Sequence, residues 1–143
     1  MEDYIRKVNY YETDKMGITH HSNYVRWMEE ARTDFLNRHE CGYAEFEADG
    51  VVFPVLSVEC QYKHSTTFGD EVKIHVTAES YTGVKLAFRY VMTNQKDGTV
   101  VFTGKSEHCF IDEKGYPIIV RKRFPRLDAI LKGLVAEESQ NKK

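Results

Sequence analysis

The chain has 143 residues, 41% hydrophobic and 29% charged, with a net charge of -2. That length fits one domain built around one core, and the composition is that of a folded globular protein rather than a disordered chain or a disulfide scaffold. The near-neutral charge argues against a surface built throughout for nucleic acid.

The first expected element is a strand at about residues 3–11, followed by a loop, "DKMGITHHS", with Gly17 allowing a turn. From Tyr24 the apolar residues Tyr24, Trp27, Met28, Ala31 and Phe35 recur at helical spacing. A helix is therefore expected from Ser22, read as the N-cap, to about Glu40, stopped by the glycine of Cys41-Gly42. After the acidic "YAEFEADG" the period changes to two. Strands are expected at 51–65, at Val72 to Glu79, at Val84 to Thr93 and at 99–112. Gly83 and the Asp97-Gly98 pair are hairpin signals, so the last three strands pair antiparallel. Leu127, Ile130, Leu131 and Leu134 then mark a short C-terminal helix, with a tail frayed from about residue 136. The result is a single domain over 1–143 in the order β-α-β-β-β-β, an α+β fold in which one helix and one face of a sheet bury each other.

Cys41, Cys60 and Cys109 lack C-x-x-C spacing and read as reduced thiols, which points to the cytoplasm. "MEDYIRKVNY" has no apolar run and no stretch approaches the ~20 residues of a membrane span, so neither export nor membrane insertion is expected.

The chemistry gathers at the helix start. Unpaired backbone N–H groups and the positive end of the helix dipole favour an oxygen that carries or develops negative charge. Asp14 lies seven residues ahead of His21, the residue just before the helix. A loop folding back at Gly17 brings the carboxylate and those donors together, which is what acyl-group hydrolysis needs. Taken alone, Asp14 reads more readily as a turn residue than as a catalyst.

The stretch "YYETDKMGITHHSNYVRWMEEAR" resembles the signature of the 4-hydroxybenzoyl-CoA-thioesterase-like branch of the hotdog superfamily, which includes bacterial acyl-CoA thioesterases of the Tol-Pal cluster. Asp14, Gly17, Ile18, His21, Asn23, Tyr24, Trp27, Glu30, Ala31 and Arg32 carry it, and "FPVLSVECQYKHSTTFGDEVKIHV" extends it. The resemblance implies a hotdog fold of about five antiparallel strands wrapped around the long helix. It also implies a homodimer with sheets joined edge to edge and active sites at the interface; a tetramer is the expected assembly, with the choice between dimer and tetramer left open by the sequence. Asp14 takes the position of the catalytic carboxylate, as nucleophile or general base, and His21 that of the residue whose N–H polarises the thioester carbonyl. Gly17, Asn23, Tyr24, Phe53, Lys63, His64 and Lys85 fall at substrate-binding positions, Lys85 where some relatives contact nucleotide phosphates. Glu12 stands where Asp is commoner, and "KHS" at 63–65 replaces an Arg-Pro found in many relatives. No cofactor is implied, since coenzyme A is part of the substrate.

Other classes fit less well. His20, His21, His39, His64, His75 and His108 lack H-x-x-x-H and H-E-x-x-H spacing, so no metal site is expected. No G-x-S-x-G elbow is present for serine catalysis. A hotdog dehydratase needs a histidine on the central helix, which has none before His39. A non-catalytic acyl-CoA binder would not need Asp14. The acyl group, and whether the carrier is coenzyme A or acyl carrier protein, stay open.

Overall fold

The computed structural model describes residues 3–41, 48 and 50–141, with side chains described as far as Glu138. The strands are β1 (Tyr4–Lys7), β2 (Val55–Tyr62), β3 (Glu71–Tyr81), β4 (Lys85–Asn94) and β5 (Val100–Cys109). The helices that lie wholly among the described residues are α1 (Ser22–Arg38), a single turn α2 (Val120–Arg123) and α3 (Pro125–Asn141). Among the described residues the strands form one antiparallel sheet in the order β1-β3-β4-β5-β2. The two expected hairpins are there, turning at Gly83 and Gly98, both with positive φ.

α1 buries Tyr24, Trp27, Met28, Ala31, Phe35 and Leu36 against the inner face of the sheet. That face carries Ile74, Val76, Ala78, Leu86, Phe88, Tyr90, Met92 and Phe102, alternating with exposed or half-exposed positions as period two requires. Helix and sheet approach closely at Gly104, where an added Cβ would sit 2.8 Å from the Met28 sulfur. α3 lies against β3, with Leu131 and Leu134 in the same core.

Several expected boundaries move. β1 ends at Lys7 instead of running to residue 11, because Tyr10–Glu12 wind into a 3-10 turn closed by a capping box between Asn9 and Glu12. The N-cap of α1 is His21 and Ser22 is already the first helical residue. At the other end the chain leaves α1 by a Schellman arrangement: the N–H of Cys41 reaches the Leu36 carbonyl at 2.8 Å and that of Glu40 reaches Asn37 at 3.3 Å. Glu40 therefore holds the left-handed position, φ 62°, that glycine usually takes. The expected stop residue Gly42, and most of the acidic segment, lie outside the described residues. The C-terminal helix continues to Asn141, beyond the expected fraying point. No disulfide links Cys41, Cys60 and Cys109.

Candidate active site

Asp14 opens a tight turn. Its N–H donates to the Ile18 carbonyl at 2.8 Å, its own carbonyl accepts from Gly17 N–H at 2.9 Å, and its carboxylate accepts from Met16 N–H at 2.9 Å. Gly17 closes the turn with φ +80°, a conformation that strains any residue with a Cβ. The returning strand segment is then pinned: Ile18 bridges to Thr67, Thr19 to Thr13, and the Thr67 hydroxyl donates to the Gly17 carbonyl at 2.9 Å.

Behind this loop Glu12 is 3% exposed and accepts from six donor atoms. Arg6 supplies two guanidinium bonds at 2.8 and 2.9 Å, Asn9 its backbone N–H at 2.8 Å and Trp27 its indole N–H at 3.0 Å. The other two belong to the backbone: the Glu12 carbonyl accepts from His20 N–H at 2.8 Å and from the Asn23 amide at 2.9 Å. Burial alone would push the Glu12 carboxyl up, but these donors together hold it below its ordinary value. One residue thus ties the loop that carries Asp14 to the start of α1.

The helix start shows a selective pattern of pairing. Ser22 N–H donates to Nδ1 of His20 at 3.2 Å, Asn23 N–H to the His20 carbonyl at 3.0 Å, and Tyr24 N–H to the His21 carbonyl at 3.3 Å. Among the described residues no acceptor meets the N–H of His21. Of the donors at this end of α1, it is the one left open.

His21 lines a cleft of about 230 Å³ with Ile18, Thr19, Tyr24, Tyr62, Lys63, His64 and Ser65. The end of β2 supplies Tyr62, whose hydroxyl donates to the His21 carbonyl at 3.2 Å. Lys63 and His64 follow, both anchored through backbone N–H bonds to Val101. Tyr24 stacks on Phe102 with centroids 5.1 Å apart and meets Tyr62 edge-on at 5.5 Å. Burial, then the neighbouring Cys60, pushes the Tyr62 phenol up to about 12, so it keeps its proton at neutral pH.

The structure thus brings His21, Tyr24, Lys63 and His64 to one cleft, with Asp14 hydrogen-bonded to Ile18 in its wall. The other positions singled out in the sequence lie elsewhere. Asn23 is 6% exposed and its amide is consumed by the carbonyls of Glu12 and His20, so it positions the loop. Gly17 serves the turn. Phe53 packs on the core, stacked on His108 with centroids 4.5 Å apart. Lys85 pairs with Cys109 at the far end of β4, seven residues from Met92, or about 24 Å along the strand from the cleft end. Two residues went unnoticed in the sequence, Thr66 and the partner it holds, Thr19; a hydroxyl pair separated by 47 residues leaves no local pattern to read. Among the described residues no three histidines, cysteines or acids gather as a metal site, and no helix is long and apolar enough to cross a membrane.

Known proteins share this fold. The family profile described as the thioesterase-like superfamily matches residues 8–134. The chain is 35% identical over 120 residues to the putative acyl-CoA thioesterase YneP of Bacillus subtilis, covering 83% of this chain and 86% of that one. It is 29% identical over 91 residues to the acyl-CoA thioester hydrolase YbgC of Escherichia coli, covering 64% and 68%. Among solved structures it is similar to a DHNA-CoA thioesterase from Staphylococcus aureus, with a TM-score of 0.92 and 30% identity over 98% of this chain and 94% of that one. With its five-stranded antiparallel sheet packed against α1, the chain belongs to the thioesterase-like superfamily, a family of thioester hydrolases with the hotdog fold.

Proposed function

We propose that the chain hydrolyses acyl-CoA thioesters at the end of α1, with Asp14 as the reacting carboxylate and the His21 N–H as the donor to the thioester carbonyl. The observation that carries the proposal is the selective pairing at the helix start: the neighbouring N–H groups are engaged, and the residue that carries the open one lines a cleft whose wall includes Ile18 of the Asp14 turn. The family membership and the relatives named acyl-CoA thioesterases support the substrate class.

In this reading the carbonyl oxygen docks on His21 N–H, where the helix dipole favours the charge that builds as the carbonyl is attacked. Asp14 either attacks the carbonyl carbon, giving a mixed anhydride and releasing the coenzyme A thiolate, or takes a proton from the water that attacks. In the first case water then cleaves the anhydride and regenerates the carboxylate. The Met16 N–H on the Asp14 carboxylate fixes one oxygen and leaves the other for the reaction. No cofactor enters either route. Lys63 and His64, exposed at the cleft rim, offer charge and hydrogen bonds to the carrier.

A second copy completes the site. β2 is the edge strand next to β5, and Val55, Leu56, Val58 and Tyr62 on it are 40–49% exposed, an apolar edge of the kind soluble proteins cover. Antiparallel pairing of β2 with the β2 of another copy sets the Phe53 and Lys85 end of one chain beside the His21 and Tyr62 end of the other. Such a dimer is the minimum unit, with a tetramer as its further assembly, and the reaction is placed in the cytoplasm.

The test is thiol release from short, medium, long and aromatic acyl-CoAs, run beside the same acyl groups on acyl carrier protein. Turnover of a coenzyme A thioester supports the proposal. Turnover on the carrier protein alone replaces the carrier, and ligand binding without any thiol release makes this a binding protein.

A further inference from the structure

At the wall of the cleft three hydroxyls form a chain. Thr19 Oγ1 and Thr66 Oγ1 are 2.6 Å apart, and Thr66 Oγ1 and the Tyr24 hydroxyl 3.0 Å. All three residues are buried, at 5%, 2% and 3% exposure. The two ends, Thr19 and Tyr24, line the cleft, and Thr66 sits behind them.

Counting protons shows that this chain has two settings. Thr19 Oγ1 also lies 3.3 Å from the Thr66 carbonyl, which already accepts the Thr19 backbone N–H at 2.9 Å. In one setting Tyr24 donates to Thr66, Thr66 to Thr19, and Thr19 to that carbonyl, so no proton is spare. In the other, Thr19 donates to Thr66 and Thr66 to Tyr24, which leaves the phenol proton without an acceptor in the chain. Turning from the first to the second keeps both short contacts and gives up only the 3.3 Å one, already longer than an ordinary O–H···O bond.

A spare donor here answers a deficit. A carbonyl oxygen that becomes an oxyanion in a sheltered cleft needs more than one donor, and the start of α1 offers a single open N–H, that of His21. Tyr24 stands three residues further along the chain and lines the same cleft as His21. We infer that the Tyr24 phenol is the second donor to the thioester carbonyl oxygen, beside the His21 N–H, with Thr66 and Thr19 as positioning residues that turn its proton toward the cleft. The inference rests on the hydrolase reading above. Burial raises the Tyr24 pKa, which keeps the donor protonated throughout the neutral range.

The test compares wild type and Tyr24→Phe on one acyl-CoA, with a non-hydrolysable S-alkyl-CoA thioether, which has no carbonyl, as the binding probe. The ring contacts with Phe102, Tyr62 and Trp27 survive this change. The expected result is a kcat lower by about 100-fold, with KM and the thioether inhibition constant within a factor of three. A kcat retained within threefold overturns the inference, and so does a parallel loss of kcat and thioether binding, which would mark Tyr24 as packing only. If Tyr24→Phe does not fold, Thr66→Val takes its place: a kcat at least fivefold lower with unchanged thioether binding supports the relay, and an unchanged kcat overturns it. A wild type that releases no thiol overturns both the hydrolase reading and this one, whereas an active wild type matched by Tyr24→Phe overturns the inference alone.

Discussion

Arg6 grips Glu12 with two parallel hydrogen bonds of 2.8 and 2.9 Å, from the buried side of the loop that carries Asp14. The third guanidinium nitrogen of Arg6 holds Glu30 on α1 at 2.9 Å, so strand, loop and helix meet in one ion-paired knot. Glu12→Gln leaves Arg6 charged, 17% exposed and short of its bidentate partner. Breaking a buried pair costs about 3 kcal/mol, toward the low end here because Glu30 remains. Urea denaturation should show that loss, and activity should fall further than stability because the Asp14 turn and the His21 N–H both hang from this residue.

Acid should weaken the fold in two stages with different causes. His108 is fully buried, and burial, then the Arg32 charge, pushes its pKa down from 6.5 to about 3, with the Pro54 carbonyl opposing weakly. The unfolded chain therefore takes up a proton near pH 6.5 that the folded chain refuses. Stability is fully present above that pH and falls below it by up to about 1.4 kcal/mol per pH unit. Glu12, held below its ordinary 4.5, adds a second loss that begins as the pH falls through that value. Melting temperature measured from pH 7.5 to 4 should decline from about 6.5 downward in the wild type, and His108→Leu should stay flat until the carboxylates titrate.

Glu40 occupies a left-handed backbone position at φ 62°, and its ion pair with Arg126 is between groups each 72% exposed. Such a pair contributes little, whereas the backbone conformation costs about 1 kcal/mol in a residue with a side chain. Glu40→Gly is expected to stabilise the protein by about 0.5 to 1 kcal/mol, read as a rise in denaturation midpoint with unchanged slope.

The edge strand gives a prediction about assembly. Leu56 is 48% exposed in the single chain, so Leu56→Glu should leave a lone subunit folded. If β2 joins two copies, the new charge falls at their junction. Sedimentation should then show the wild type as a dimer or larger and the variant as a monomer, with activity lost in parallel. Equal sedimentation of both would place the interface elsewhere.

The helix and the hairpins were legible because each shows its own period over many residues and is bounded by its own turn chemistry. What escaped was fixed at a distance. Nothing local announces that Tyr10–Glu12 will leave the strand, since the carboxylate that drives the turn is held by Arg6 and Trp27. His21 took the cap position from Ser22 because the ring of His20, two residues back, already serves Ser22 N–H. At the site, the motif pointed to Asp14 and His21; His21 lines the cleft, and Asp14 lies in the turn whose Ile18 lines it. Asn23 and Phe53 carry residue types that suit substrate contact, yet their partners are the Glu12 carbonyl and His108, which only the folded chain brings near. Within one chain Lys85 lies the length of β4 from the cleft, so its substrate role rests on the second copy of the proposed dimer.

The most direct measurement is kcat/KM for wild type and Asp14→Asn on the best acyl-CoA, with melting temperature recorded for both. Asn keeps the size of the side chain and an oxygen for the Met16 N–H while removing the charge that attacks or accepts a proton. A loss of at least 100-fold at an unchanged melting temperature is the predicted result. Equal activity in the two proteins would contradict the role of Asp14 and move the chemistry to another group in the cleft.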